Sequence, residues 1–527
     1  MYRSNSNFRI LTLATILLFT IPPSIASSDS STSRTVIVIP GIMGSVLRNA
    51  DNGSLLWLNI ATLLSSRCSN FLLALTLAPD GTSPANRIPL RCTDGGSPTT
   101  NGSSAKPDGL LIGSYIEPIP DYYGELLNTL KNFTVVPFAY DWRLDYEIIA
   151  DQLRKRIEES THGGKTVDIV AHSQGGLVVR TYLAKYWSDP RVEKVIFLGT
   201  PQLGAPKSFA ILSGWQSLDP DYVAVAFGLN FETGSFVSNT FPASYELLPR
   251  FDFVTVDGKV ITNASTFSQL SSRNLLDRAN AVWTMLNNSK STGVRLFAIN
   301  GSGQNTLEGL SENTHNNCIL PINDPTGDGT VPSKSSRGLG QFDQLYVNVE
   351  HAALPNSDIV RRSVLEILQR GTMASLTRDT RLSLTPFAND HITANTCGPL
   401  RFNIFNYANR LFTGLRDGKI LTQIENSHFF RFAHNDAAIL PIGRFVISLE
   451  GTAEGIGSFT AQLFSAERTP KLCMTFPELH VTKNFRGVLM MDFNKPVLLV
   501  DREGAETFVE QVEAKSSGSC DPLQSGR

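Results

Sequence analysis

The feature that most constrains this chain is a serine set between a strand and a helix with almost nothing on either side. Residues 166–171 (TVDIVA) read as a strand and 175–186 as a helix, joined by Ala171-His172-Ser173-Gln174-Gly175-Gly176. A strand–turn–helix this sharp lifts a serine Oγ above a sheet and forces an uncomfortable backbone at the serine. Small residues two before and two after it avoid clashes there. Gly175 supplies the second; Ala171 stands where the commoner pattern has glycine and is still small. The helix opening here also aims backbone N–H groups at developing negative charge. Read blandly, Ser173 is a helix N-cap, so its partners must decide.

The surrounding segments predict the sheet that such a turn needs. Thr35–Ile39 (TVIVI) is a continuous β-branched run, as a strand buried on both faces should be. Residues 134–138 (TVVPF), 194–198 (KVIFL), 294–299 and 344–349 read as further strands. Tyr146–Ser160 carries Ile148, Ile149, Leu153 and Ile157 at helical spacing, and 357–369 reads as a closing helix. This alternation predicts an α/β fold, an open, mostly parallel sheet with helices on both faces. Two insertions are expected, at about 55–117 and 207–284. The stretch 208–241 holds only Asp219, Asp221 and Glu232 as charged residues and is rich in Phe, which reads either as a lid or acyl-chain wall or as ordinary packed loop and helix. After about Thr372, short apolar runs lie between Gly, Pro, Asn and Asp, and no long helical pattern precedes Ala505. The expected organisation is a signal peptide over 1–26, a catalytic domain over 27–371 and a separate β-rich domain over 372–527, with a sandwich as its candidate form.

Composition and leader narrow the class. Lys+Arg is 46 against Asp+Glu 48, a net charge of −2, which argues against a nucleic-acid partner. Arg3 and Arg9 precede a 12-residue apolar run that Pro22 and Pro23 end, with small Ser24 and Ala26 at a cleavage site. That is a secretory signal; a spanning helix needs about 20 residues. Six cysteines follow it, which in an exported protein favours disulfides. Local pairing of Cys68 with Cys92 and of Cys473 with Cys520 leaves Cys318 with Cys397. None has zinc-type spacing, and no metal or cofactor is expected.

A serine nucleophile needs a base, and the base needs a carboxylate to fix its tautomer. On this type of sheet the chain order is Ser, Asp/Glu, His. Asp328, in Gly327-Asp328-Gly329-Thr330-Val331-Pro332, and His351, after the strand 344–349, satisfy that order at loop tips. The competitors are Asp324 and His315. The bland readings are an Asx-turn for Asp328 and a packed or surface histidine for His351. Oxyanion donors are expected from the N–H of Gln174 and from the turn Pro40-Gly41-Ile42-Met43-Gly44, with Ile42 first and Met43 second.

Five stretches together resemble the lecithin:cholesterol acyltransferase-like family of α/β-hydrolases: Val38–Ser45 (VIPGIMGS), Tyr140–Arg143 (YDWR), Ala171–Gly176, Gly199–Pro206 (GTPQLGAP), and 327–332 with His351. The resemblance spans Val38 to about Arg370. It implies Ser173 as nucleophile, Asp328 as acid partner and His351 as base. It also implies a lid or membrane-contact region holding Cys68 and Cys92, with Trp57 nearby. Residues 140–143 are read as a brace near the site with no catalytic role.

The leading expectation is a secreted serine hydrolase or acyltransferase working on lipid acyl esters at a membrane, lipoprotein or micelle surface. Water as second nucleophile makes it a lipase or phospholipase; an alcohol such as a sterol makes it a transferase. The alternatives are an esterase or thioesterase on a non-lipid acyl group, and a non-catalytic hydrolase-like binding protein.

Overall fold

The computed structural model describes residues 34–57, 70–86, 88–89, 99–111, 121–161, 165–215, 231–289, 293–315, 318–338, 343–416, 419–491, 497–501 and 510–514. The signal segment, Cys68, Cys92 and Cys520 lie outside these residues. Arg34–Arg527 forms one compact unit.

Its centre is a seven-stranded sheet in the order Leu382–Ser383, Asp343–Val347, Arg295–Gly301, Val192–Leu198, Val167–His172, Thr35–Ile39, Thr134–Pro137. Every pairing is parallel except that of the edge strand Leu382–Ser383. Alternate side chains of a strand face opposite sides, and Thr35–Ile39 uses both. Ile37 and Ile39 enter one core with the helices Tyr146–Ser160, Gln174–Lys185 and Arg273–Asn287. Val36 and Val38 enter the other, with Gly124–Thr129 and Asp358–Arg370. Burial on both faces is why these strands read as unbroken apolar runs. The α/β-hydrolase architecture expected from the sequence is the one observed, with strand boundaries moved by one or two residues.

The sequence reading placed no strand between 300 and 343. The structure has a long antiparallel hairpin there, Gln304–Asn313 with Cys318–Gly327, and Asp328 follows directly on its second arm. The arm contains Pro321 and Pro325 and lacks an alternating apolar pattern, so neither usual strand signal was present.

Residues beyond 390 form two antiparallel sheets. One has five strands, His428–Arg431, Asp436–Pro441, His391–Cys397, Gly455–Phe464 and Pro470–Val481; the other has seven, running from Lys419–Thr422 to Glu510–Glu513. Their facing side chains share one core that includes Ile392, Phe402, Ile447, Phe459 and Met474. A second apolar cluster joins this β-rich part to the helical insertion, where Phe430, Phe432 and Ile439 pack with Phe209, Tyr245 and Leu307. The disulfide Cys318–Cys397 ties the hairpin to the same part, with Cα atoms 5.6 Å apart and 79 residues of separation. Closing a loop of that length is worth roughly 4–5 kcal/mol in the chain-entropy account. Cys473 is also disulfide-bonded.

Candidate active site

Ser173 caps the helix Gln174–Lys185 at φ 53° and ψ −126°, a conformation costing about 1–3 kcal/mol for a residue with a Cβ. The helix holds it there by burial: Leu177, Val178, Val179, Tyr182 and Leu183 are all inside, each worth about 1.5–3 kcal/mol. The turn also demands glycine at 175, where a Cβ would stand 2.4 Å from the Pro40 carbonyl oxygen. Ser173 makes no side-chain capping bond. Its hydroxyl instead meets His351 Nε2 at 2.8 Å.

His351 opens the short 3-10 helix His351–Asn356, four residues past the strand Asp343–Val347. Its Nδ1 lies 2.7 Å from Asp328 Oδ2 and its backbone N–H donates to the Asp328 carbonyl at 2.8 Å. A carboxylate accepts only, so Nδ1 carries the proton and Nε2 is left to accept from Ser173. Asp328 Oδ1 meanwhile accepts from the N–H groups of Thr330 and Val331. The Asx-turn and the partner of His351 are therefore one residue using its two oxygens separately. Asp328 is 1% exposed.

The rival residues go elsewhere. Asp324 is buried, accepting from Ser333 N–H at 2.6 Å and from Arg468 at 2.8 Å. His315 is exposed beside Asp257.

Gly41 to Gly44 form a hydrogen-bonded turn, Gly44 N–H to the Gly41 carbonyl at 3.1 Å, with Met43 at φ 60°. A Cβ on residue 41 would lie 2.8 Å from Ser173 Cβ, so glycine is what lets the turn approach the serine. Ile42 and Met43 line the cavity with Ser173. Gln174 is the first residue of its helix, and its N–H is one of the four that have no acceptor within the helix. Its side chain donates to the Trp142 carbonyl at 3.1 Å. Residues 140–143 hold the turn from behind. Tyr140 Oη donates to the Pro40 carbonyl at 2.8 Å, and Arg143 pairs with Asp141 and donates to the Leu75 carbonyl. Trp57, expected near a lid, donates its indole N–H to the Met43 carbonyl at 2.8 Å and stacks edge-on against Trp142.

Two residues that sequence reasoning did not assign to the site link these pieces. His172 Nε2 lies 3.1 Å from the His351 carbonyl, which can only accept, so Nε2 carries the proton. His172 Nδ1 then accepts from Tyr123 Oη at 2.9 Å, and Tyr123 Oη accepts from Gly41 N–H at 2.9 Å. Burial, helped by the neighbouring His351, pushes the His172 pKa down to about 3. Burial also pushes the Tyr123 phenol up. Both groups stay neutral near pH 7. Nothing in the sequence around Tyr123 marks it, and His172 reads there only as the neighbour of the serine.

Above Ser173 lies a cavity of about 890 Å³, within the range of small-molecule sites. Among the described residues, no cluster of three His, Cys, Asp or Glu is arranged to hold a metal.

The uncharacterized protein YJR098C of Saccharomyces cerevisiae is 28% identical over 172 residues, 32% of this chain and 23% of that protein. The chain thus spans less than a quarter of that curated relative's length. Among solved structures, a chain of the Tle4-Tli4 complex overlaps at TM-score 0.41 and 14% identity, covering 64% of this chain and 99% of that one. The mature lipase BlEst2 of Bacillus licheniformis overlaps at TM-score 0.29 and 13% identity (64% and 92% covered), and phospholipase PlaB of Legionella pneumophila at 0.27 and 11% (66% and 88% covered). The fold itself rests on the chain's own sheet order and connections. The family profile for lecithin:cholesterol acyltransferase matches residues 123–367, a span that holds Ser173, Asp328 and His351. Over residues 123–367, just under half of its length, this chain is similar to the lecithin:cholesterol acyltransferase family.

Proposed function

We propose that the protein is a serine hydrolase or acyltransferase that takes acyl groups from lipid esters through an acyl-enzyme on Ser173. The observation that carries this reading is the hydrogen-bonded chain Ser173–His351–Asp328 at the wall of a cavity of about 890 Å³. Ser173 Oγ attacks the ester carbonyl while His351 Nε2 takes its proton, and Asp328 stabilises the imidazolium. The Ile42 and Gln174 N–H groups hold the oxyanion. The C–O bond to the alcohol then breaks, and His351 gives its proton to the departing oxygen. Water or a second alcohol, deprotonated by His351, attacks the acyl-serine, yielding fatty acid or a new ester and restoring Ser173.

The residues lining the cavity support a lipid acyl group over a small polar one. Ile42, Trp57, Leu111, Ile211 and Leu247 are among its apolar lining, Ile211 and Leu247 coming from the second insertion. Export to an oxidising compartment is part of the proposal, supported by the Cys318–Cys397 disulfide. Among the described residues, no helix is long and apolar enough to cross a membrane.

The test is acyl transfer from fluorescent phosphatidylcholine in liposomes, with and without added sterol, in wild type and Ser173→Ala. Free fatty acid alone assigns hydrolysis, and labelled sterol ester assigns transfer. Equal turnover by the folded variant overturns the reading.

A further inference from the structure

The cavity above Ser173 is lined by two parts of the chain. The α/β part supplies the apolar residues just named, with Ser208, Ser244, Gln304, Thr330 and Asn348 among its polar ones. The β-rich part supplies Leu411 and the unbroken run 422–428, with Thr422, Gln423, Glu425 and Asn426 as polar side chains. Glu425 is exposed; Lys207 and Glu350 are the other charged residues at the cavity wall.

The run 422–428 is built in place. Asn426 Oδ1 accepts from Asn305 N–H at 2.7 Å, and Asn305 Nδ2 donates to the Asn426 carbonyl at 2.9 Å. His428 Nε2 donates to the Asn305 carbonyl at 2.7 Å. Gln423 Oε1 accepts from Phe412 N–H at 3.1 Å. On the same strand as Asn305, Thr306 Oγ1 accepts from Gly329 N–H at 2.8 Å, beside Asp328. The run and the loop of Asp328 therefore hang from one strand. The Phe430–Phe432 packing on the helical insertion, with Trp215 and Phe432 ring centroids 5.2 Å apart, holds the rest of the β-rich part against it.

An amphiphilic ester has its reacting carbonyl where its apolar and polar portions meet. Its head group loses hydrogen bonds against an apolar wall and keeps them against a polar one. We propose that residues 422–428 form the subsite for the polar alcohol portion of the ester, and that Glu425 disfavours anionic heads. The proposal rests on the acyl-ester reading above and extends it: the β-rich part is a wall of the site and selects the leaving group.

Two variants test it, each checked for folding by circular dichroism and thermal melting. Thr422→Trp fills the polar side. The kcat/KM for dispersed phosphatidylcholine falls at least tenfold, while nitrophenyl acetate hydrolysis and fluorophosphonate labelling stay within twofold. Glu425→Lys changes charge at an exposed position. The ratio of phosphatidylcholine to phosphatidylglycerol turnover in matched mixed micelles falls at least fivefold. Unchanged ratios in folded Glu425→Lys, or equal losses on large and small esters in Thr422→Trp, overturn the subsite. Wild-type protein inert to every ester and to fluorophosphonate instead overturns the acyl-ester reading beneath it.

Discussion

Tyr123 and His172 together join the turn at Gly41 to His351, the base of the proposed triad. The phenol accepts from Gly41 N–H and donates to His172 Nδ1, and His172 Nε2–H donates to the carbonyl of His351. Three buried hydrogen bonds thus couple residue 41 to residue 351, which share no sequence neighbourhood. Removing the phenol oxygen leaves two buried groups unpaired, at about 1–3 kcal/mol each. Tyr123→Phe is expected to lower kcat roughly 10- to 100-fold with KM within twofold. Steady-state kinetics on a soluble nitrophenyl ester check this; a loss confined to KM contradicts it.

Asp328 and Asp324 allow the proposed catalytic role to be told apart from a structural one. Asp328→Asn would present an N–H or a weaker acceptor to His351 Nδ1, disturbing the tautomer that leaves Nε2 free. The expected fall in kcat is on the order of 10³–10⁴. Asp324→Asn weakens a buried partner of Arg468 instead. It is expected to lower the melting temperature and leave kcat within a few fold. Paired kinetics and melting curves of the two variants discriminate.

Gly41→Ala forces a methyl to within 2.8 Å of Ser173 Cβ and 3.3 Å of Ser173 Oγ unless the turn moves. In the proposed mechanism that turn supplies an oxyanion donor, so displacing it is expected to cost about 10²–10³ in kcat. The melting temperature should change by only a few degrees, since the turn lies at the cavity wall. Wild-type kcat in the alanine variant contradicts the oxyanion role of the turn.

His172 also sets a pH dependence of stability. Its folded pKa is about 3, below its ordinary 6.5, so the unfolded chain binds a proton that the folded chain refuses. Its stabilising contribution is complete above pH 6.5 and is lost as pH falls through the window from 6.5 to 3. At pH 5 the loss is about 2 kcal/mol, from 1.36 kcal/mol per unit. His391, lowered by burial to about 4, acts in the same direction and is present in both proteins compared. Urea unfolding at pH 7 and pH 5 should show a smaller pH-dependent loss in His172→Gln than in wild type. Identical losses contradict a buried neutral His172.

Legibility from sequence tracked how local each signal is. The strand–serine–helix unit was readable because its small residues, strand and helix are contiguous, and the central strands because burial on both faces leaves unbroken β-branched runs. Asp328 and His351 were readable through chain order, although they lie 155 and 178 residues from Ser173. The hairpin leading to Asp328 was not, since Pro321 and Pro325 interrupt it and its pairing is fixed by packing. Tyr123 carried no local mark: only the folded sheet brings it to His172. The polar run 422–428 was equally silent, because its place at the cavity depends on contacts with Asn305, more than a hundred residues away.

The most direct test of the account is to label the folded protein with a fluorophosphonate and map the adduct by peptide mass spectrometry. One stoichiometric adduct on Ser173 is expected, absent from Ser173→Ala and much slower to form in Asp328→Asn. A folded protein that takes no label, or takes it on another residue with Ser173 untouched, contradicts it.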